Sequence, residues 1–274
     1  MKKFALVGLV LFVVGVFGTM FSWQELIGRN RTSTIQRSIE VENERINLID
    51  IDSDIAELNF FPTDEQTIQV DFSGKSNSSI DELLDVKESG DKLSITIDHK
   101  SKFFNISFFP FWNNNNPVLN IGIPKSFAGS IEAAVDVGEI QIDNLSLDQF
   151  VAVINVGELD GTNLVLNEAR VEVNVGEIDL IGVTGDWDLS TDIGDIDLDL
   201  LEWQGNIEAY TDIGDIEIRI PDEPEFYSLR LETELGDVKG VADPIVEFRS
   251  TAGGEFPSLD ASTDIGNITI KWGH

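Results

Sequence analysis

A five-residue pattern recurs seven times in this chain and constrains its fold more than any other feature. It is an acid or amide, then Val, Ile or Leu, then Gly, then an acid or amide, then Ile, Leu or Val. It reads Asp136-Val137-Gly138-Glu139-Ile140, Asn155-Val156-Gly157-Glu158-Leu159, Asn174-Val175-Gly176-Glu177-Ile178 and Asp192-Ile193-Gly194-Asp195-Ile196. Asp212-Ile213-Gly214-Asp215-Ile216, Glu234-Leu235-Gly236-Asp237-Val238 and Asp264-Ile265-Gly266-Asn267-Ile268 complete the set. Glycine-to-glycine steps are 19, 19, 18, 20, 22 and 30 residues, so the last two leave room for loops. A unit of about twenty residues cannot close a core alone, and stacked units can.

The residues around each glycine alternate with period two. Ile207, Ala209, Thr211 and Ile213 are apolar or small at every second position, as are Leu229, Leu231, Thr233 and Leu235, and Leu259, Ala261, Thr263 and Ile265. That is a strand with one buried face. The pattern resumes at Ile216 and Ile218, an odd step from Ile213 that would flip a straight strand to its other face. The chain must therefore turn at Gly-acid, where glycine takes a backbone conformation that a Cβ disfavours.

The reading is an all-β fold, a β-solenoid (β-helix) of about seven or more coils. Each strand pairs with its copy ~4.8 Å away, and seven coils stand about 34 Å tall. The rival is a sandwich of hairpins, which would use Asn-Gly or Asp-Gly turns at regular intervals; Asp160-Gly161 is nearly alone.

Stacking aligns equivalent positions, so the residue after glycine should form a column of Glu139, Glu158, Glu177, Asp195, Asp215 and Asp237, with Asn267 in the same series. Two readings are open. A column of carboxylate oxygens suits Ca²⁺, the one cofactor this chain suggests. Alternatively the column is a solvated face, with Asp136, Asn155, Asn174, Asp192 and Asp212 bonding the backbone N–H groups of the corner. The glycine-rich calcium nonapeptide is absent.

Fifty acids against eighteen bases give a net charge of −32, which argues against nucleic acid and for cations, cationic peptides or neutral glycans. With no cysteine and two histidines, thiolate chemistry, a His-based triad and multi-His metal sites are disfavoured. No nucleotide loop, G-x-S-x-G or H-E-x-x-H is present, so no catalytic residue is assigned and the chain does not read as an enzyme.

Lys2 and Lys3 precede residues 4–21, eighteen positions without charge, and Trp23 follows. As a helix this run is about 27 Å long, near the ~30 Å hydrocarbon core. Residues 1–23 read as a transmembrane anchor, with a cleaved signal as the rival. Residues 24–45 read as a polar juxtamembrane linker and 46–274 as the repeat domain. Within it, 46–125 form an irregular first part and 131–270 the regular repeats. The expected topology is a single pass in the cell membrane with the C-terminal domain extracytoplasmic.

Residues 103–117 break the pattern with clustered aromatics, a run of four asparagines at 113–116 and two prolines. One reading is a loop capping the open end of the solenoid. The other is a partner-binding patch, for which Phe108, Phe109, Phe111 and Trp112 are the candidates.

Val118-Leu119-Asn120-Ile121-Gly122-Ile123-Pro124-Lys125, followed by the Gly-acid-Ile repeats, resembles the putative-adhesin β-strand-repeat family of bacterial envelopes, over roughly residues 46–274. The anchor ahead of it is similar to LiaG-type members linked to cell-envelope stress. The resemblance implies a bacterial, surface-facing β-solenoid without established chemistry. The expected function is a membrane-anchored binding or regulatory protein in the envelope stress response. Its partners would be lipid through the anchor and a membrane signalling protein, a cationic peptide or a wall polymer. The alternative is a surface adhesin or a wall-associated, glycan- or cation-binding structural protein.

Overall fold

The computed structural model describes residues 33–76, 83–98, 117–246 and 256–273. The described residues form an all-β fold of eighteen strands joined in one hydrogen-bonded sheet system. The first six are β1 (Ser33–Glu42), β2 (Leu48–Thr63), β3 (Thr67–Ser76), β4 (Leu84–Ser89), β5 (Lys92–Ile97) and β6 (Val118–Pro124), with one 3-10 turn at Asn43–Arg45. The regular repeats begin with β7 (Ser130–Asp143), β8 (Ser146–Thr162), β9 (Val165–Val175) and β10 (Ile178–Ile193). They continue as β11 (Ile196–Leu200), β12 (Asn206–Ile213), β13 (Ile216–Ile220), β14 (Ser228–Leu235) and β15 (Val238–Lys239). A short β16 (Ile245–Val246) precedes β17 (Ser258–Ile265) and β18 (Ile268–Trp272).

Successive copies of the unit pair in parallel and in register. Ala133, Ala152, Val171, Leu189 and Ala209 lie over one another, as do Ile140, Leu159, Ile178, Ile196 and Ile216. These rows are buried and form one continuous core. Each coil runs along a longer strand, turns at the glycine, and continues along a shorter strand. Asn144, Asn163 and Gly182, all with positive φ, then carry the chain into the next coil. This is the stacked β-solenoid expected from the repeat, not a sandwich of hairpins.

The corner glycines are required by a close approach between coils. A Cβ on Gly157, Gly176 or Gly194 would lie 1.6 Å from the carbonyl oxygen of the corner glycine in the coil before. At these three positions φ is also positive, at 150°, 145° and 153°. Any other residue would thus meet both a clash and backbone strain.

Coil order departs from chain order at both ends. Near the C-terminus, β17 pairs with β12 on one side and β14 on the other. The coil of β17 and β18, last in sequence, therefore lies between the coil of β12 and β13 and that of β14 and β15. Near the N-terminus, β2 pairs with β5 and β6 on one side and with β7 on the other. The first coil in sequence is thus also one place in from its end. Antiparallel strands finish the stack: β1 and β3 beyond β6, β4 beyond β5, and β16 beside β14.

The first part of the repeat domain carries an eighth copy of the unit. Asp54-Ile55-Ala56-Glu57-Leu58 aligns residue for residue with the Gly138 corner. Ala56 stands where the others have glycine and is 1% exposed. Residues 24–45, read as linker, contain β1, whose Ile39 and Val41 pack on the core. Period-two spacing of Ile35, Ile39 and Val41 among polar residues is enough for a strand once β3 supplies the hydrogen bonds. No helix among the described residues is long and apolar enough to cross a membrane, and the expected span at 4–21 lies outside them.

Candidate functional site, an acidic face beside the glycine corner

The residues after each corner do form a column. Glu57 pairs with Glu139 and Glu139 with Glu158. Glu177, Asp195 and Asp215 follow in turn, each carbonyl accepting from the short strand of the coil before it. Asn267 comes next and Asp237 last, so the expected order holds to Asp215 and the inserted coil reverses the final pair. Phe108, Phe109, Phe111 and Trp112 lie outside the described residues; the segment that holds them departs at Asp98 and returns at Pro117, beside the corner of Ala56.

The hydrogen bonds of the corner differ from those expected. The acid after glycine, not the residue two before it, accepts from the backbone. Asp215 N–H donates to Asp195 Oδ1 at 2.7 Å, Asn267 N–H to Asp215 Oδ1 at 2.7 Å, and Asp237 N–H to Asn267 Oδ1 at 3.2 Å. A short Asp or Asn side chain reaches the next coil's N–H along the column. In the early coils the residues two before glycine bond side chain to side chain instead: Asn174 Nδ2 donates to Asn155 Oδ1 at 3.0 Å, and Asn155 Nδ2 to Asp136 Oδ1 at 2.7 Å, while Asp212 accepts from the Tyr210 hydroxyl. On the strand their side chains stand outward at the same height, so each amide meets its copy before it meets the corner backbone.

Inside the corner, Thr211, Thr233 and Thr263 donate their hydroxyls to the glycine carbonyls of Gly194, Gly266 and Gly214, at 3.0–3.1 Å. Val135, Ile154 and Val173 occupy the same row in earlier coils. The row thus runs from Ser53 beside Glu57, through the aliphatic Val135, Ile154 and Val173 beside Glu, to threonine beside Asp or Asn, with the Thr191 hydroxyl buried and unpaired.

A second outward row, two residues further along the short strand, was not singled out from sequence. It runs Asn59, Gln141, Asp160, Asp179, Asp197 and Glu217. The signal was available, since period two places the third residue after each glycine on the outer face. Together the two rows make a grid of carboxylates. One oxygen from each of Glu139, Glu158 and Asp160 lies within 4.8 Å of the others, and all three side chains are half-buried. Burial, then the charges of Glu158, Glu139, Asp179 and Asp143, pushes the Asp160 carboxyl up to about 6. Burial, then Glu139 and Glu177, also raises Glu158. At the far end of the grid, bases intervene: Glu217 pairs with Arg219 and Lys271, and Arg219 approaches Asp199 at 3.8 Å.

Between the acid columns runs an apolar line that the sequence pattern had placed in the core. The residue before each glycine stacks on its copies, Val137 on Val156, Val156 on Val175, and onward through Ile193, Ile213 and Ile265 to Leu235. Val156 is 40% exposed, Val175 43% and Leu235 56%. The inward row passes from Thr211 to Ile216, because the bend leaves the residue before glycine on its outside. Ile213, expected to be buried, is only half-buried.

These features define a class, a capped β-solenoid whose corner presents ordered acids beside a partly exposed apolar ladder. The chain belongs to the Toastrack DUF4097 family, whose pattern matches residues 46–180 and again 135–271. This agrees with the resemblance to bacterial putative-adhesin repeats. No curated protein matches the chain. Among solved structures, it is similar to a putative adhesin from Bacteroides fragilis NCTC 9343, at 18% identity and TM-score 0.49, over 87% of this chain and 97% of that one. It is also similar to a putative cell adhesion protein from Clostridium sporogenes ATCC 15579, at 18% identity and TM-score 0.40, over 88% and 100%. A third is a putative lipid binding protein from Parabacteroides distasonis ATCC 8503, at 16% identity and TM-score 0.39, over 85% and 96%.

Proposed function

We propose that this chain is a non-catalytic binding module of the bacterial envelope, held at the membrane by residues 1–23 and presenting its acidic corner outside the cell. The observation that carries this reading is the grid of carboxylates, aligned coil on coil along the corner. A rigid array of like charges attracts cationic partners and steers their approach. A regulatory role in envelope stress follows from the resemblance to anchored repeat proteins. The test is crosslinking and affinity capture from native membranes. Full-length protein is compared with a form carrying Phe108, Phe109, Phe111 and Trp112 changed to Ser, and with one carrying Glu139→Gln, Glu158→Gln and Asp160→Asn. Recovery of a discrete membrane protein by the native chain, lost in either variant, supports the reading. Turnover of an envelope glycan, abolished by changing one specific Asp or Glu, would overturn it.

A second reading is favoured by the close approach of Glu139, Glu158 and Asp160: a wall-associated or adhesive protein stiffened by divalent cations. Oxygen ligands of this kind suit Ca²⁺. Ca²⁺ at one hundred times its Kd would stabilise the fold by about 2.7 kcal/mol. A melting temperature that does not move with Ca²⁺, or moves equally in the Asp160→Asn variant, rejects this reading.

A further inference from the structure

The ladder before the corner glycines, exposed at Val156, Val175 and Leu235 and half-buried at Ile55, Val137, Ile193, Ile213 and Ile265, is unusual for a solvated surface. β-branched and aliphatic side chains line up over eight coils, where polar residues would serve a purely solvated edge equally well. On one side stand Asp136, Asn155 and their copies, and on the other the column containing Glu158. The result is an apolar track with acidic rims, running along the stack for about 34 Å, the seven steps of ~4.8 Å between eight coils.

We infer that this track is the docking surface for a cationic amphipathic helix laid along the solenoid axis. An α-helix advances 5.4 Å per turn, close to the ~4.8 Å rise of one coil, so one helical turn faces each coil with little drift over three or four turns. The apolar stripe of such a helix would meet Val156, Val175 and their neighbours, while Lys or Arg on its flanks would reach the rims on both sides. A helix of about 22 residues spans the whole track. A second copy of this chain is a poor occupant, because it would bring acidic rims against acidic rims in a molecule of net charge −32. The inference rests on the reading of the chain as a binding module and names the place and chemistry of its partner.

The test uses the full-length chain in nanodiscs of neutral phosphatidylcholine, with empty nanodiscs subtracted. The probe is a labelled 22-residue peptide with Leu at helical spacing and Lys on its flanks, compared with a scrambled peptide of identical composition. Fluorescence anisotropy should show the amphipathic peptide binding at least tenfold more tightly than the scrambled one. Val156→Ser with Val175→Ser should reduce that binding at least fivefold and leave the scrambled peptide unaffected. Val156→Thr with Val175→Thr, which keeps the β-branched shape, guards against loss of fold and should give a smaller loss in the same direction. Equal binding of the two peptides would mean attraction by charge alone and would overturn the inference. So would unchanged binding by both valine variants, or self-association of the chain that these variants abolish. Capture of a membrane partner together with failure of the peptide would sink the track and leave the binding module standing.

Discussion

The backbone N–H of Asn267 donates to the carboxylate of Asp215 across 2.7 Å, although 52 residues separate them in the chain. The amide of Asn267 also donates to the same carboxylate, at 3.1 Å. These bonds hold the last coil in its slot between two coils made earlier. Asp215→Ala removes the acceptor and should cost about 1–2 kcal/mol. Asp215→Asn retains an oxygen and should restore most of that loss. Hydrogen exchange at the Asn267 amide should quicken in the first variant and not in the second. Equal exchange in both would show that the strand ladder alone holds the coil.

The corner glycines and Ala56 predict losses of different size at equivalent positions. Gly176→Ala would place a methyl 1.6 Å from the Gly157 carbonyl oxygen, at a φ of 145°. Overpacking and backbone strain together should cost about 3 kcal/mol or more. Ala56→Gly should cost about 1 kcal/mol, through a lost buried methyl and a looser unfolded chain. Denaturant midpoints of the two variants test the contrast, and similar midpoints would refute the close approach as the reason for glycine.

The buried threonine row predicts a mild substitution. Thr211 donates to the Gly194 carbonyl at 3.1 Å, but valine fills the same row at Val135 and Val173. Thr211→Val should therefore cost about 1 kcal/mol, the net worth of one hydrogen bond. Thr211→Ala should cost more, because it also leaves a cavity. Thermal unfolding should rank wild type above Val and Val above Ala.

Asp160 sets a pH dependence. Its carboxyl is raised to about 6 by burial and by Glu158, Glu139, Asp179 and Asp143, while an unfolded aspartate titrates near 3.9. Between these values the folded chain holds a proton that the unfolded chain releases, so this group's contribution falls as pH rises from about 4 to about 6. Asp160→Asn should be more stable than wild type at pH 7.5, by about 1 kcal/mol after allowing for solvent screening. The advantage should vanish near pH 4. A difference independent of pH between 4 and 7.5 would rule out this assignment.

The solenoid was legible because two periods coincide in the sequence, about nineteen residues between glycines and two between inward side chains. The eighth unit escaped because the pattern was anchored on glycine, and Ala56 breaks it at that one position. Coil order at the ends was not legible from the units themselves, since near-identical units can stack in either order at similar energy. The hint lay in the wording of the corners. Thr263-Asp264-Ile265-Gly266 repeats Thr211-Asp212-Ile213-Gly214, its neighbour in space, while Thr233-Glu234-Leu235-Gly236 differs. The acidic column was read correctly as far as Asp215. The outward turn of the residue before glycine was missed, because strict alternation carries no signal for where a bend leaves a side chain outside.

The tucked ends also bear on how such a molecule could change length. In an ordinary stacked array, duplicating the last repeat adds another layer at the tip. Here a duplicate after β18 would emerge from the second layer, with both neighbouring places already filled by β12 and β14. New layers are admissible only in the middle, where chain order and stack order agree. The height of this protein can therefore change only from within, and the ruler it forms has both ends sewn in.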